Sequence, residues 1–268
     1  MPSHVSDNSD FPTGFDFRYD KYRPAPPDIL ADVLFNLIKT RSPQCVVDIG
    51  CGTGLSTFYW SDRVDLIVGI DPSTEMLRQA SIKSGARNIV YREGFSHQTG
   101  LPDASVQIVT CSQALHWMEP MPTFREVARI LVSGGVFAAY DYDWPPTTSS
   151  WEADKAYEDF SNHIAKYEVS HKPIKGVRRW DKSGHLDRMR NSGCFRYAKE
   201  IVLHHIDRGN AERMISLLIS QGGVKDLLES GFTEQQLGID SFREQIRNLL
   251  GEEQSDWYWS SRLRVGVV

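Results

Sequence analysis

Two rhythms of apolar residues alternate between Asp28 and Tyr140. Ile29, Leu30, Val33, Leu34, Leu37 and Ile38 recur at three- and four-residue spacing, which predicts a helix over about 28–40. Asp28 is placed to cap its start. Cys45-Val46-Val47-Asp48-Ile49 is instead a short apolar run ending at a glycine-rich turn, the pattern of a buried parallel strand. Leu55 to Trp60 begins the next helix. Leu66 to Ile70 is a second strand, closed by Asp71-Pro72-Ser73, and Ser73 caps a helix running to about Ser84. Ile89 to Tyr91 and Val106 to Thr110 are the third and fourth strands. Phe124 to Leu131 is helical, Ser133-Gly134-Gly135 stops it, and Val136 to Tyr140 is a fifth strand. Strands alternating with helices predict an α/β fold with a doubly wound sheet. Ligands of such sheets sit outside the carboxyl ends of the strands. The polar or glycine-rich breaks fall at those ends, after Ile49, Ile70, Tyr91, Cys111 and Tyr140.

The flanks follow other patterns. Residues 1–16 are polar, as a frayed start would be. The prolines of Tyr19 to Pro27 exclude a helix there and predict an extended turn. After Tyr140 the alternation stops at Asp143-Trp144-Pro145-Pro146. A helix is predicted over 151–167, with Trp151, Ala153, Tyr157, Phe160 and Ile164 as its apolar stripe, followed by a basic loop from His171 to Asp187. Phe195 to Ile206 has a strand pattern, 210–220 and 241–250 are helical, and Trp257 to Val268 is a strand placed to close the sheet at an edge. Four segments result: an N-terminal lid segment and first helix (1–42), a ligand-binding core (43–141), a helical insertion or substrate lid (142–190) and a C-terminal completion of the sheet (191–268).

Composition narrows the function. The chain has 268 residues, 40% hydrophobic and 24% charged, enough for a full core. Its formal net charge of -5 weighs against nucleic acid as a partner, because phosphate contacts need a basic surface. Cys45, Cys51, Cys111 and Cys194 form no CxxC pair, which argues against a structural zinc site and for reduced thiols. No apolar run has signal-peptide or membrane-spanning length, so the expectation is a soluble cytoplasmic protein without a membrane partner. His204-His205 within a strand point to opposite faces and make a poor metal pair.

The densest chemistry is Asp48-x-Gly50-x-Gly52-x-Gly54. Glycines at a strand-to-helix turn let the backbone approach a ligand closely, although a plain tight turn has the same residues. The dinucleotide pattern needs its third glycine three residues after the second; here Gly54 follows Gly52 by two. Asp71 ends the second strand 17 residues after Gly54, where a carboxylate can accept both hydroxyls of a ribose. It can equally cap the helix that follows. Together the two features favour a nucleoside ligand.

Val46 to Gly54 resembles motif I of the class I S-adenosylmethionine-dependent methyltransferases, and Gly69-Ile70-Asp71-Pro72-Ser73-Thr74-Glu75-Met76-Leu77 resembles the motif that follows it. Gly100-Leu101-Pro102-Asp103-Ala104-Ser105-Val106 is similar to the loop before the fourth strand. Gln113-Ala114-Leu115-His116-Trp117 is similar to the segment after that strand in the type 11 branch, near the trans-aconitate methyltransferase group. Tyr22-Arg23-Pro24 resembles the entry segment of those enzymes. The likeness covers about residues 17–141 and is loose beyond them.

The resemblance implies a Rossmann-like, doubly wound seven-stranded sheet with a helical lid, and S-adenosyl-L-methionine as cofactor. By position, Gly50, Cys51, Gly52, Thr53 and Gly54 hold the methionine portion and ribose, with Asp48 at the base of the turn. Asp71 binds the ribose hydroxyls. Pro72 and Met76 flank the adenine, and Gly94-Phe95-Ser96 wrap its other side. Family members often carry Asp near Phe95, and this sequence departs there, which leaves Ser96 or backbone groups as substitutes. Ser112 and Gln113 lie under the methionine end, with Tyr22 and Arg23 closing over it.

Methyl transfer from a sulfonium is an in-line displacement that depends mainly on alignment. A base is needed only for a protonated nucleophile, and a carboxylate acceptor needs none. His116 is the candidate base, with packing as its other reading. Trp117, Tyr140, Tyr142 and Trp144 are candidates for the acceptor side, or core aromatics. His171, Lys172, Lys175, Arg178, Arg179 and Lys182 form a basic stretch, either a solvated loop or a guide for an anionic substrate. The expected function is methyl transfer to a small-molecule acceptor. A cofactor-binding interaction module and a nicotinamide-dependent oxidoreductase are the alternatives.

Overall fold

A computed structural model describes residues 18–170 and 179–268. Its centre is a seven-stranded sheet: β1 Cys45–Ile49, β2 Leu66–Asp71, β3 Ile89–Glu93, β4 Val106–Ser112, β5 Leu131–Tyr142, β6 Tyr197–Gly209 and β7 Ser255–Val267. The spatial order is β3-β2-β1-β4-β5-β7-β6. The first five strands are parallel, and β7 runs antiparallel to both β5 and β6. The order reverses between β1 and β4, the switch point where such sheets open a crevice.

Side-chain alternation along the strands builds two cores. Val46, Ile67, Ile108, Val136 and Ala138 face α2 (Ile29–Ile38) and Trp60. Val47, Ile49, Val109, Phe137 and Ala139 face α5 (Pro120–Ile130). A third core lies in a helical layer. There α6 (Trp151–Ser170), α8 (Ala211–Ile219), α9 (Gly222–Glu229), α10 (Glu234–Leu237) and α11 (Ile239–Leu250) pack with Tyr142, Trp257 and Trp259. The helical layer therefore draws on the chain both before and after β6.

Several elements depart from the sequence expectation. The prolines of 24–27 do not prevent a short helix, α1 (Arg18–Tyr22), because it ends before them. Asp28 makes no capping bond; its carboxylate lies 3.3 Å from Arg63 instead. α3 is a single turn, Leu55–Phe58. α5 starts at Pro120, suited to a first helical turn, and ends at Ile130; Ser133-Gly134-Gly135 lie inside β5 and do not stop the helix. Trp151 is exposed, while Ala153, Tyr157, Phe160 and Ile164 carry the buried stripe. The final strand, β7, sits between β5 and β6, and β6 forms the edge. The end of the predicted basic loop is instead the start of a helix, α7 (His185–Asn191). His171, Lys172, Lys175 and Arg178 lie outside the described residues, as does the polar start. The caps of α4 (Thr74–Ser84) and α8 are side chains, Ser73 accepting from Met76 N and Asn210 from Arg213 N. Among the described residues, no helix is long and apolar enough to cross a membrane.

Candidate functional site

The glycine turn leaves β1 at the switch point. Gly50, Gly52 and Gly54 have φ of 66°, 53° and 84°, the left-handed region that favours glycine. Gly50 N and Cys51 N both donate to Ile70 O, at 2.8 and 3.1 Å, tying the turn to β2. Beneath it Asp48 is fully buried and accepts three hydroxyl bonds, from Ser56 (2.6 Å), Thr57 (2.7 Å) and Thr110 (2.8 Å). Burial raises its pKa, opposed by those bonds. Asp48 thus supports the turn from below. The Cys51 thiol is pushed well up by burial and by the nearby Asp71 and Asp48 charges, so it is an inert packing group.

Asp71 completes the cradle. One carboxylate oxygen accepts Gly52 N and the other Ser73 N, both at 2.9 Å. Two N–H bonds leave acceptor capacity on a group that can take about four. Burial raises its pKa, opposed by these two bonds. At Gly52 an added Cβ would meet only Met76 Sδ, at 3.8 Å, an ordinary contact. The turn is therefore open at Gly52 and closed at its neighbours, with Met76 on the rim and Pro72 half-buried beside Asp71. Gly94 N donates to Asp71 O (3.2 Å), which brings Gly94 and Phe95 to the same edge.

The N-terminal segment closes over this turn through residues that the motifs do not include. Thr53 Oγ1 donates to Asp20 Oδ1 at 2.6 Å, and Lys83 pairs with the same carboxylate. Arg213 donates through Nε to Tyr22 O at 3.0 Å. Arg23 donates to Ser220 O at 3.0 Å, and its guanidinium lies 5.1 Å from the Trp144 ring centre. Asp20 and Arg213 had no sequence signal, because their partners lie 33 and 191 residues away.

Gln113 leaves β4 with φ 53°, unusual for a residue with a side chain, and donates its N–H to Tyr140 O at 2.9 Å. His116 is buried in a 3₁₀ turn, Leu115–Trp117. Burial, aided by the Lys182 and Arg179 charges and opposed by Asp141, lowers its pKa to about 3. It is neutral at pH 7 but too weak a base to draw a proton efficiently. His185, fully buried in α7, is lowered to about 4, again mainly by burial. Both imidazoles are neutral in the fold and charge more easily when unfolded, so the unfolded state binds more protons below pH 6.5. Their contribution to stability is full above pH 6.5 and shrinks as pH falls toward 3–4. Urea unfolding at pH 7 and pH 5 is expected to show a loss near 1.4 kcal/mol per pH unit per histidine below about pH 6. The variant His185→Phe should flatten the profile; an unchanged slope would remove His185 from the account.

This geometry coincides with similarity to known proteins. Residues 47–139 match the family model described as a methyltransferase domain. A relative in Saccharomyces cerevisiae, the probable S-adenosylmethionine-dependent methyltransferase CRG1, is 32% identical over 158 residues, covering 56% of this chain and 54% of the relative. The uncharacterized methyltransferase YcgJ of Bacillus subtilis is 30% identical over 152 residues, covering 54% and 57%. The chain thus spans about half the length of the curated relatives it matches. A candidate type II methyltransferase from Anaeromyxobacter dehalogenans shares the fold with a TM-score of 0.67 at 20% identity, over 91% of this chain and 97% of that one.

Not every expected site residue meets the glycine turn. Ser96 is drawn to α5, its hydroxyl 2.8 Å from Thr123 Oγ1. Tyr140 is 1% exposed within the core beneath α2 and does not line an acceptor space. Tyr142 is also buried; its hydroxyl donates to Pro24 O (3.2 Å), and burial pushes its pKa up. β5 is buried on both faces from Gly135 to Tyr142, which outweighs the tyrosines' nearness to its carboxyl end. Trp144 does line a cavity, of about 330 Å³, with Tyr157, Ser161, Asn162 and Gln221. The Trp117 ring lies under Arg179, 4.5 Å from the guanidinium carbon. Ser112 ends β4, in register with Tyr140. Among the described residues no group of His, Cys, Asp and Glu is arranged to hold a metal.

Proposed function

We propose that the chain is an S-adenosylmethionine-dependent methyltransferase acting on a small-molecule acceptor, with a carboxylate or another oxygen as the nucleophile. The observation that carries the reading is the pairing of an open left-handed turn at Gly52 with a buried carboxylate, Asp71, that still has acceptor capacity. A ribose diol needs two acceptor lone pairs beside a backbone it can approach closely, and this cradle supplies both. Gly50 to Gly54 and Asp71 would hold the nucleoside and methionine portions, Met76, Pro72, Gly94 and Phe95 the adenine. Ser112 and Gln113 would lie below the methionine end, with Tyr22 and Arg23 above it.

When bound, S-adenosylmethionine supplies a methyl group on a sulfonium, which leaves without help from an acid. The chain's own task is alignment and exclusion of water. α1 is held across the turn by Asp20 and Arg213, which suits it to exclude water. A neutral, weakly basic His116 favours an acceptor that is already ionised. Arg179 and Lys182 place positive charge beside residues 113–117, favouring an anionic acceptor. The likeness to the trans-aconitate group through Tyr22-Arg23-Pro24 points the same way.

A screen of small carboxylic acids, alcohols and amines for S-adenosylhomocysteine release tests the acceptor class. Turnover with carboxylates and little dependence on pH between 6 and 8 is expected. Release only with amines or neutral alcohols would overturn the carboxylate assignment. No release with any acceptor, despite tight cofactor binding, would favour an interaction module.

A further inference from the structure

Residues 179–182 dock along the segment that follows β4. Arg179 covers Trp117, Trp180 N donates to His116 O at 2.8 Å, and Lys182 Nζ donates to Gln113 Oε1 at 3.1 Å. The same ammonium pairs with Asp141 Oδ1 at 2.7 Å. Asp141, buried at the end of β5, is held from its other side by Arg264 Nη1 at 2.8 Å. Lys182 is therefore fixed from two directions, and Asp141 keeps a cation even without it.

The consequence lies in the Gln113 carboxamide. An amide has an accepting end and a donating end of nearly equal size, and its sense is set by its partners. An ammonium only donates. By occupying Oε1, Lys182 leaves Nε2 as the free end, and among the described residues that buried nitrogen has no hydrogen-bond partner. The backbone is pinned as well, at φ 53° with its N–H on Tyr140 O. A buried N–H donor without a partner is costly, unless a bound molecule supplies an acceptor.

We infer that Lys182 is a positioning residue, which sets the sense of the Gln113 amide so that Nε2 donates to an oxygen of the methionine portion of the bound methyl donor. This rests on the methyltransferase reading of the site. Lys182 acts through Gln113 and need not touch the ligand. Its charge also faces His116, together with Asp141, Arg179 and His185.

A double-mutant cycle on the full chain tests the coupling, with S-adenosylhomocysteine as the calorimetric probe. Lys182→Met is expected to weaken binding about tenfold, and Lys182→Arg, which still donates, to keep most of the affinity. In a Gln113→Leu background, Lys182→Met should have almost no further effect. An equal loss in both backgrounds would mean that Lys182 only braces the segment, and no loss in either would overturn the role outright. Side-chain ¹⁵N signals add a second readout. The Gln113 amide should shift on ligand addition in the wild type and broaden in Lys182→Met; an amide indifferent to both would contradict the inference. Failure of the wild-type protein to bind the probe would instead remove the donor site itself.

Discussion

Gly54→Ala is expected to abolish measurable S-adenosylhomocysteine binding and to lower stability by about 2–5 kcal/mol. Two costs combine. An L-residue at φ 84° carries strain of roughly 1–2 kcal/mol. The added methyl also runs into the Tyr91 hydroxyl and approaches Ala80 Cβ to 3.1 Å, an overpacking worth about 1–3 kcal/mol. Relief requires the turn to move, and the turn is the proposed binding surface. Gly85→Ala is the control. Gly85 also has positive φ, 52°, but its Cβ would meet nothing within 4 Å. It should lose only the conformational part and keep full binding. If the two variants behave alike, close packing at Gly54 has no role.

Asp48→Ala is the second large effect, and it falls on stability. Its carboxylate is the shared acceptor for the Ser56, Thr57 and Thr110 hydroxyls inside the core. Each stranded hydroxyl costs about 1–3 kcal/mol, and because the three share one partner their losses do not add fully. A total near 3–5 kcal/mol is expected in urea unfolding. Asp48→Asn keeps the shape and one carbonyl acceptor and should lose clearly less. A loss below about 1 kcal/mol for Asp48→Ala would show that the turn stands without this support.

The parallel half of the sheet was legible because each strand there is a continuous apolar run ending at a polar turn. Val46 to Gly54 and Leu66 to Ser73 carry strand, turn, cap and ligand chemistry within a few residues. Local signals therefore decide the fold there and carry the proposed donor site. Legibility failed where an outcome depends on contacts between distant residues. Tyr140 and Tyr142 sit at the expected end of β5, yet both are buried, Tyr140 in the core beneath α2 and Tyr142 between the N-terminal segment and the helical layer. Ser96 was captured by Thr123 of a helix whose start the hydrophobic rhythm placed too late. Asp20, Arg213 and Lys182 act across 33, 191 and 69 residues, and no spacing rule reports such pairs. The same holds for β7, whose apolar ending announces a strand but not that it inserts between β5 and β6.

In the proposed function the Gly50 to Gly54 turn and Asp71 form a methyl-donor site. Calorimetric titration of the wild-type protein with S-adenosylhomocysteine and, separately, with NAD tests it most directly. Saturable binding of S-adenosylhomocysteine, weakened by about 1–3 kcal/mol in Asp71→Ala, and no heat with NAD are expected. Tight NAD binding with no response to S-adenosylhomocysteine would contradict it.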